Sequence, residues 1–149
     1  MKKIKIFLIM ALSVFTSAAQ VYAHEHRAPH NGVLVECGEE FAHLELLADP
    51  EVGRLTGYVL DGEAEEPVRL KQGSIRIELN VGGKKISLAL KAVESPLTGE
   101  VKGDTSEFSA ASEKLKGVSA FSGTVALIKV KGVTFRNMKF VYPGQEKDK

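Results

Sequence analysis

All four histidines of this 149-residue chain fall within residues 24–43, and the rest of the sequence contains none. They are His24, His26, His30 and His43. The carboxylates in this region and directly after it belong to Glu25, Glu36, Glu39, Glu40 and Glu45. Imidazole and carboxylate ligands together suit Cu(II), Zn(II) and Ni(II). The four histidines are therefore the candidate ligands of a metal site, and nothing in the pattern calls for an organic cofactor.

The first two histidines acquire a particular chemistry if the chain is cleaved after Ala23. The new chain then begins His24-Glu25-His26. Its free amine, two deprotonated backbone amides and the imidazole of His26 can enclose a square-planar Cu(II) or Ni(II). Alternatively, the amine and the imidazole of His24 chelate copper by themselves. A third interpretation is a polar leader over residues 24–32, whose histidines have no metal role.

The other two histidines lie close to or inside the first predicted strands. His30 precedes Asn31-Gly32, a turn sequence. His43 is predicted on the outward face of a strand, roughly across from Glu36, where an ion pair at the surface is the simplest interpretation. If the leader folds back over this sheet, His30, Glu36, His43 and Glu45 converge into a second possible metal site.

An export signal is indicated at the N-terminus. Three lysines lie within the first five residues, residues 6–19 are mostly apolar, and Val21-Tyr22-Ala23 supplies small residues where a signal peptidase cuts. The apolar stretch is shorter than the roughly 20 residues that span a bilayer. We therefore expect residues 1–23 to be removed as a signal peptide, leaving a periplasmic protein without a membrane anchor.

The composition narrows the possible function classes. Loss of the three signal lysines lowers the formal net charge from +1 to −2, and the remaining basic and acidic residues are interspersed. Binding to a phosphate backbone requires a basic face, so we expect no nucleic-acid partner. The motifs G-x-S-x-G, H-E-x-x-H and G-x-G-x-x-G and the P-loop are missing. The sequence therefore favours a protein that is not an enzyme.

The clearest element is a hairpin over residues 74–90, where apolar and polar residues alternate on both sides of Gly82-Gly83. Folding at that turn predicts three apolar pairs on one face, Leu79 with Ile86, Ile77 with Leu88 and Ile75 with Leu90. The same alternation turns Cys37 inward as a small core residue, and it predicts a strand from Arg54 to Leu60.

Alternation interrupted by turn residues at short intervals continues along most of the chain and predicts an all-β domain. We expect eight or nine strands over residues 33–142, arranged as an antiparallel β-sandwich with an immunoglobulin-like or jelly-roll-like topology. The charged tail, residues 143–149, is expected to be disordered.

Several short segments resemble a known family. Pro29-His30-Asn31-Gly32, the run from Phe41 to Leu46, and Gly57-Tyr58-Val59-Leu60-Asp61 resemble the periplasmic β-domain near the N-terminus of heavy-metal efflux adaptor, or membrane-fusion, subunits. In that family the opening is usually P-H-G-G, so Asn31 replaces a glycine. The resemblance extends more weakly to the strand that ends near Gly132.

Membership would imply a role beside a metal-export system, with an adaptor or pump subunit as the partner. Carried over by position, His30 and His43 match family histidines. No helical hairpin, lipoyl-like half-motif or membrane-proximal domain follows the β-domain in this sequence. We therefore expect a free-standing version of this one module.

Two functions compete on these observations. The first is a periplasmic accessory protein that handles copper, zinc or nickel for an efflux system. The second is a β-sandwich module that binds a protein partner and no metal. A metal titration of the processed protein distinguishes them, because the two hypotheses predict opposite results.

Overall fold

The computed structural model describes residues 26–144, which fold into eight β-strands and one short 3-10 helix. The strands are β1 (Val33–Cys37), β2 (Ala42–Asp49), β3 (Arg54–Leu60), β4 (Ser74–Val81), β5 (Lys84–Ala92), β6 (Glu107–Ala111), β7 (Phe121–Val130) and β8 (Val133–Tyr142). The 3-10 turn, Glu113–Leu115, lies between β6 and β7. Within residues 26–144 no helix is long and apolar enough to cross a membrane. The predicted signal peptide, His24 and most of the charged tail lie outside the described residues.

The hairpin formed by β4 and β5 has the predicted register. Leu79 pairs with Ile86, and the two further apolar pairs follow in step along the strands. Gly82 and Gly83 both have positive φ angles, of 55° and 83°. A two-residue turn of this hand matches the twist of the flanking strands, and glycine adopts it without steric cost.

All eight strands belong to one antiparallel sheet with the order β1-β2-β3-β6-β5-β4-β7-β8. The sheet curls until its end strands β1 and β8 lie beside each other, and the backbone N–H of Ala48 donates to the Tyr142 hydroxyl at 3.2 Å close to this seam. The all-β, antiparallel prediction is confirmed, but two separate packed sheets are not. Strand β6 is the reason, because it pairs with both β3 and β5 and so joins the two halves.

The core fills the inside of this curled sheet. Its largest fully buried side chains include Phe108, Leu44, Ile77 and Ile128, which come from four different strands. Cys37 is also fully buried, as the alternation predicted. Burial and then the nearby Glu36 raise the pKa of its thiol to about 11. At neutral pH this cysteine is therefore a small apolar core residue and not a reactive thiolate.

Candidate functional site

The candidate site lies on the outer face of β1, β2 and β3. On β2, Leu44 and Leu46 point into the core, whereas His43 and Glu45 point to the opposite face. The prediction that this face is open to solvent is wrong. His43 is only 4% exposed and Glu45 is 0% exposed. Both are buried because the leader, here the described residues 26–32, folds back over them.

Glu45 holds the leader in place. One carboxylate oxygen, Oε1, accepts hydrogen bonds from the backbone N–H groups of His30 at 2.8 Å and Gly32 at 2.9 Å. The other oxygen, Oε2, lies 2.7 Å from Nδ1 of the His30 imidazole. A buried carboxylate is costly unless its oxygens are paired. Here both oxygens are paired, and every partner comes from the leader.

Gly32 allows this close approach. A β-carbon at Gly32 would lie 2.5 Å from the carbonyl oxygen of Leu46 and 2.9 Å from Cγ of Glu45. The first neighbour is backbone, which cannot rotate away. A glycine at this position is therefore a condition for the leader to reach the surface of β2.

Farther towards the N-terminus, His26 lies against His43. The centroids of the two imidazole rings are 4.9 Å apart. Nδ1 of His26 lies 3.1 Å from the carbonyl oxygen of Glu63, and Nδ1 of His43 lies 3.1 Å from that of Asp61. A carbonyl oxygen only accepts hydrogen bonds, so Nδ1 is the donor in each ring. In the neutral form of each ring, Nε2 consequently carries a free lone pair.

This arrangement is the one that orients histidine ligands in metal sites, where the ring nitrogen away from the ion donates to a carbonyl or carboxylate oxygen. Nε2 of His26 is buried and has no hydrogen-bond partner. Its nearest carboxylate oxygen is Oε1 of Glu40, at 3.7 Å. An unpaired buried nitrogen is unfavourable, and a metal ion bound to its lone pair would satisfy it.

The ring separation also suits a shared ion. Metal–nitrogen bonds of about 2.0 to 2.1 Å at angles between roughly 90° and 110° place two imidazole centroids about 4.5 to 5.2 Å apart. The His26 and His43 rings, at 4.9 Å, fall within that interval, which overlaps the ordinary range for two rings in contact, so the separation permits a shared ion without by itself indicating one. Two ligands alone do not make a centre, and among residues 26–144 no group of three or more His, Cys, Asp or Glu side chains is arranged to hold an ion.

The two carbonyl oxygens come from a tight acidic loop, residues 61–66. The carboxylate of Asp61 accepts the backbone N–H groups of Glu65 at 2.9 Å and Glu66 at 3.2 Å. These hydrogen bonds, first that from Glu65, lower the pKa of Asp61. The loop also passes so close to the backbone oxygen of Glu40 that a β-carbon at Gly62 would collide with it. The loop is therefore closed by its own hydrogen bonds and packs against the β1–β2 turn.

His30 is used differently from the other two described histidines. Its ring stacks on Tyr58 with a centroid separation of 3.9 Å, and it lines a cleft of about 380 Å³ beside Arg69 and Glu100. Burial, followed by the charges of Glu107 and Glu45, raises the pKa of Tyr58. The structure thus joins His26 with His43 and His30 with Glu45, but it does not gather all three histidines into one cluster.

Part of this site could not be predicted from the sequence patterns. Glu36 does pair with His43 across β1 and β2, as expected. The orienting groups on His26 and His43 are backbone carbonyls, which carry no signature in side-chain type. The position of Tyr58 could have been predicted, since alternation places its side chain on the same face of the sheet. The structure pairs it with Glu45 in the β2–β3 register.

Compared with protein-family models, with curated proteins and with solved structures, the chain has no significant match. The chemistry of the site is therefore inferred from its own residues.

Proposed function

We propose that the protein handles a transition-metal ion, Cu(II), Zn(II) or Ni(II), and that the Nε2 atoms of His26 and His43 are its central ligands. One observation supports this above the others. Both rings donate from Nδ1 to carbonyl oxygens of one loop, which leaves two Nε2 lone pairs on rings 4.9 Å apart, one of them buried without a partner. Any buried histidine needs a partner for its ring N–H, so the feature that favours a metal is the remaining Nε2 of His26, which is buried and has no partner.

Further ligands are at hand. Glu40 is 61% exposed and its carboxylate lies 3.7 Å from Nε2 of His26, so it is the carboxylate best placed to join the two imidazoles. His24 precedes His26 by two residues, a reach of about 7 Å at most along the chain. Two imidazoles with a carboxylate and water, or with a third imidazole, form common Zn(II) coordination sets.

The place of this chemistry in the cell rests on the sequence. The signal-peptide pattern supports export to the periplasm, and the resemblance to efflux adaptor domains supports an accessory role beside a heavy-metal efflux system. In this proposal the protein is not an enzyme. It binds the ion and presents it to an adaptor or pump subunit.

The test is a calorimetric titration of the processed protein with Zn(II), Cu(II) and Ni(II). We expect His26→Ala and His43→Ala each to lose at least tenfold in affinity, and Glu40→Gln to lose less. Glu39→Gln is the matched control, because Glu39 is an exposed neighbour of Glu40. A thermal melt of each variant checks that the fold persists.

The competing hypothesis, a module that binds a protein and no metal, gives different outcomes. Wild-type protein without measurable binding of any of the three ions would favour it and contradict the proposal. Binding that survives both histidine substitutions would also contradict the assignment of these ligands.

A further inference from the structure

We infer that Glu45 is a positioning residue for this metal pair, because it holds the leader on β2 so that His26 meets His43. The inference rests on the proposed function. Glu45 needs no contact with the ion in this role. Its effect is exerted through the leader.

The contacts of the leader support this assignment. Glu45 makes three hydrogen bonds of 2.7 to 2.9 Å to His30 and Gly32, from a side chain with no exposed surface. Four residues before His30, the side chain of His26 has one hydrogen bond, at 3.1 Å to the Glu63 carbonyl. Hydrogen bonds to a charged, buried acceptor are stronger than exposed neutral ones. The leader is therefore anchored at Glu45.

The segment between His26 and His30 determines where His26 lies relative to the contacts of Glu45. The backbone N–H of Asn31 donates to the carbonyl of Ala28 at 3.1 Å, which closes a turn, and Asn31 has a φ of 59°. Asparagine tolerates this left-handed conformation better than most residues. A turn fixed at its C-terminal end by Glu45 thus directs residues 26–28 across β2 towards His43.

The two oxygens of Glu45 have separate tasks, and this makes the inference testable. Oε1 accepts both backbone N–H groups, whereas Oε2 accepts only from the His30 imidazole. Glutamine can reproduce this pattern. Its amide oxygen can take the place of Oε1, and its amide NH₂ can donate to Nδ1 of His30 once that ring adopts the other tautomer. Alanine cannot replace any of the three bonds.

The experiment compares Glu45→Ala, Glu45→Gln and the control Glu107→Ala in the processed protein. Glu107 lies on the same face, across Tyr58 from Glu45, and only its backbone groups form hydrogen bonds. The first measurement, made without metal, is the rate of trypsin cleavage after the exposed Arg27. The second is a Zn(II) titration of the uncleaved protein.

We expect Glu45→Ala to be cut after Arg27 at least tenfold faster, while the strand region stays intact, and to bind Zn(II) at least tenfold more weakly, because the leader then no longer holds His26 beside His43. Glu45→Gln should stay within a few-fold of wild type in both measurements, and so should Glu107→Ala. If Glu45→Gln keeps the wild-type cleavage rate and Zn(II) affinity, the effects of alanine come from the lost hydrogen bonds to the leader and not from a general loss of packing.

Two results would overturn the inference. An unchanged cleavage rate in Glu45→Ala would show that Glu45 does not hold the leader, whatever the metal affinity. Faster cleavage with unchanged Zn(II) affinity would show that leader docking does not position the ligands. If wild type itself bound no Zn(II), Cu(II) or Ni(II), the proposed function would fail as well, and the metal-free cleavage rates would still report on docking.

Discussion

Nδ1 of His30 lies 2.7 Å from Oε2 of Glu45, on the outer face of a strand whose other face lines the core. A strand with one face in the core usually leaves the other to solvent. Here that second face is covered by residues 26–32 of the same chain. The segment that carries His26 and His30 is thereby held against the sheet.

Gly32 is where this docking is most sensitive to added volume. A β-carbon there would meet backbone at 2.5 Å, so we expect Gly32→Ala to lower the free energy of unfolding by about 1 to 3 kcal/mol. The control is Gly73→Ala, whose only near neighbour is the end of the Lys102 side chain at 3.2 Å. Denaturant unfolding measures both, and equal stability of the two variants would contradict the close packing of the leader.

The hydrogen bonds to Asp61 predict a dependence on pH. Its pKa is lowered in the folded state, first by the N–H of Glu65, so the ionised carboxylate stabilises the fold above the ordinary pKa of 3.8. That contribution is lost as the pH falls through the lower folded pKa. Asp61→Asn keeps the acceptor oxygen but removes the charge. Thermal melts should show a higher melting temperature for wild type than for this variant near neutral pH, and the two melting temperatures should converge in strong acid. A melting-temperature difference that grows on acidification would contradict this prediction.

Cys37 should be unreactive in the native protein. Its side chain is fully buried, and burial is the main cause that raises its pKa to about 11, so almost no thiolate exists at neutral pH. We expect iodoacetamide to label the protein in denaturant and scarcely at all without it. Mass spectrometry gives the labelled fraction. Rapid labelling of the native protein would mean that β1 opens readily.

The sequence of residues 24–26 predicts a separate effect of processing. If the mature chain begins at His24, it should bind Cu(II) more tightly than a chain with one extra N-terminal residue, because the addition moves His26 from position three to position four. Affinity should also fall at low pH, since the amine and amides must lose protons to coordinate. Competition titrations measure both effects. Equal affinities would exclude the amino-terminal chelate, and mass spectrometry of the exported protein establishes the N-terminus.

This chelate and the His26–His43 pair use different atoms. A chelate of the amine, two amides and imidazole closes through Nδ1 of His26, the atom that donates to the Glu63 carbonyl in the docked leader. The pair uses Nε2. The absorption spectrum of the Cu(II) protein distinguishes four-nitrogen square-planar coordination from a two-imidazole site. Glu45→Ala should favour the former, since it frees the leader.

Local patterns in the sequence were sufficient for much of the sheet. The bounds of β3, the register of the β4–β5 hairpin and the inward position of Cys37 all follow from period-two alternation and turn residues. These features depend on residues near one another along the chain. The concentration of histidines in residues 24–43 is likewise a property of the sequence itself.

Long-range contacts decided the rest. Alternation cannot tell whether β6 joins two halves into one sheet, because strand edges pair through backbone groups that every residue carries. It assigned His43 and Glu45 to the correct face but not to a buried one, since burial there depends on a leader that arrives from outside the strands. The orientation of the two imidazoles by the Glu63 and Asp61 carbonyls depends on a loop that is 37 residues from His26 and 18 residues from His43. Only the folded chain brings these backbone atoms to the histidines, and that geometry distinguishes a possible ligand pair from a histidine-rich leader.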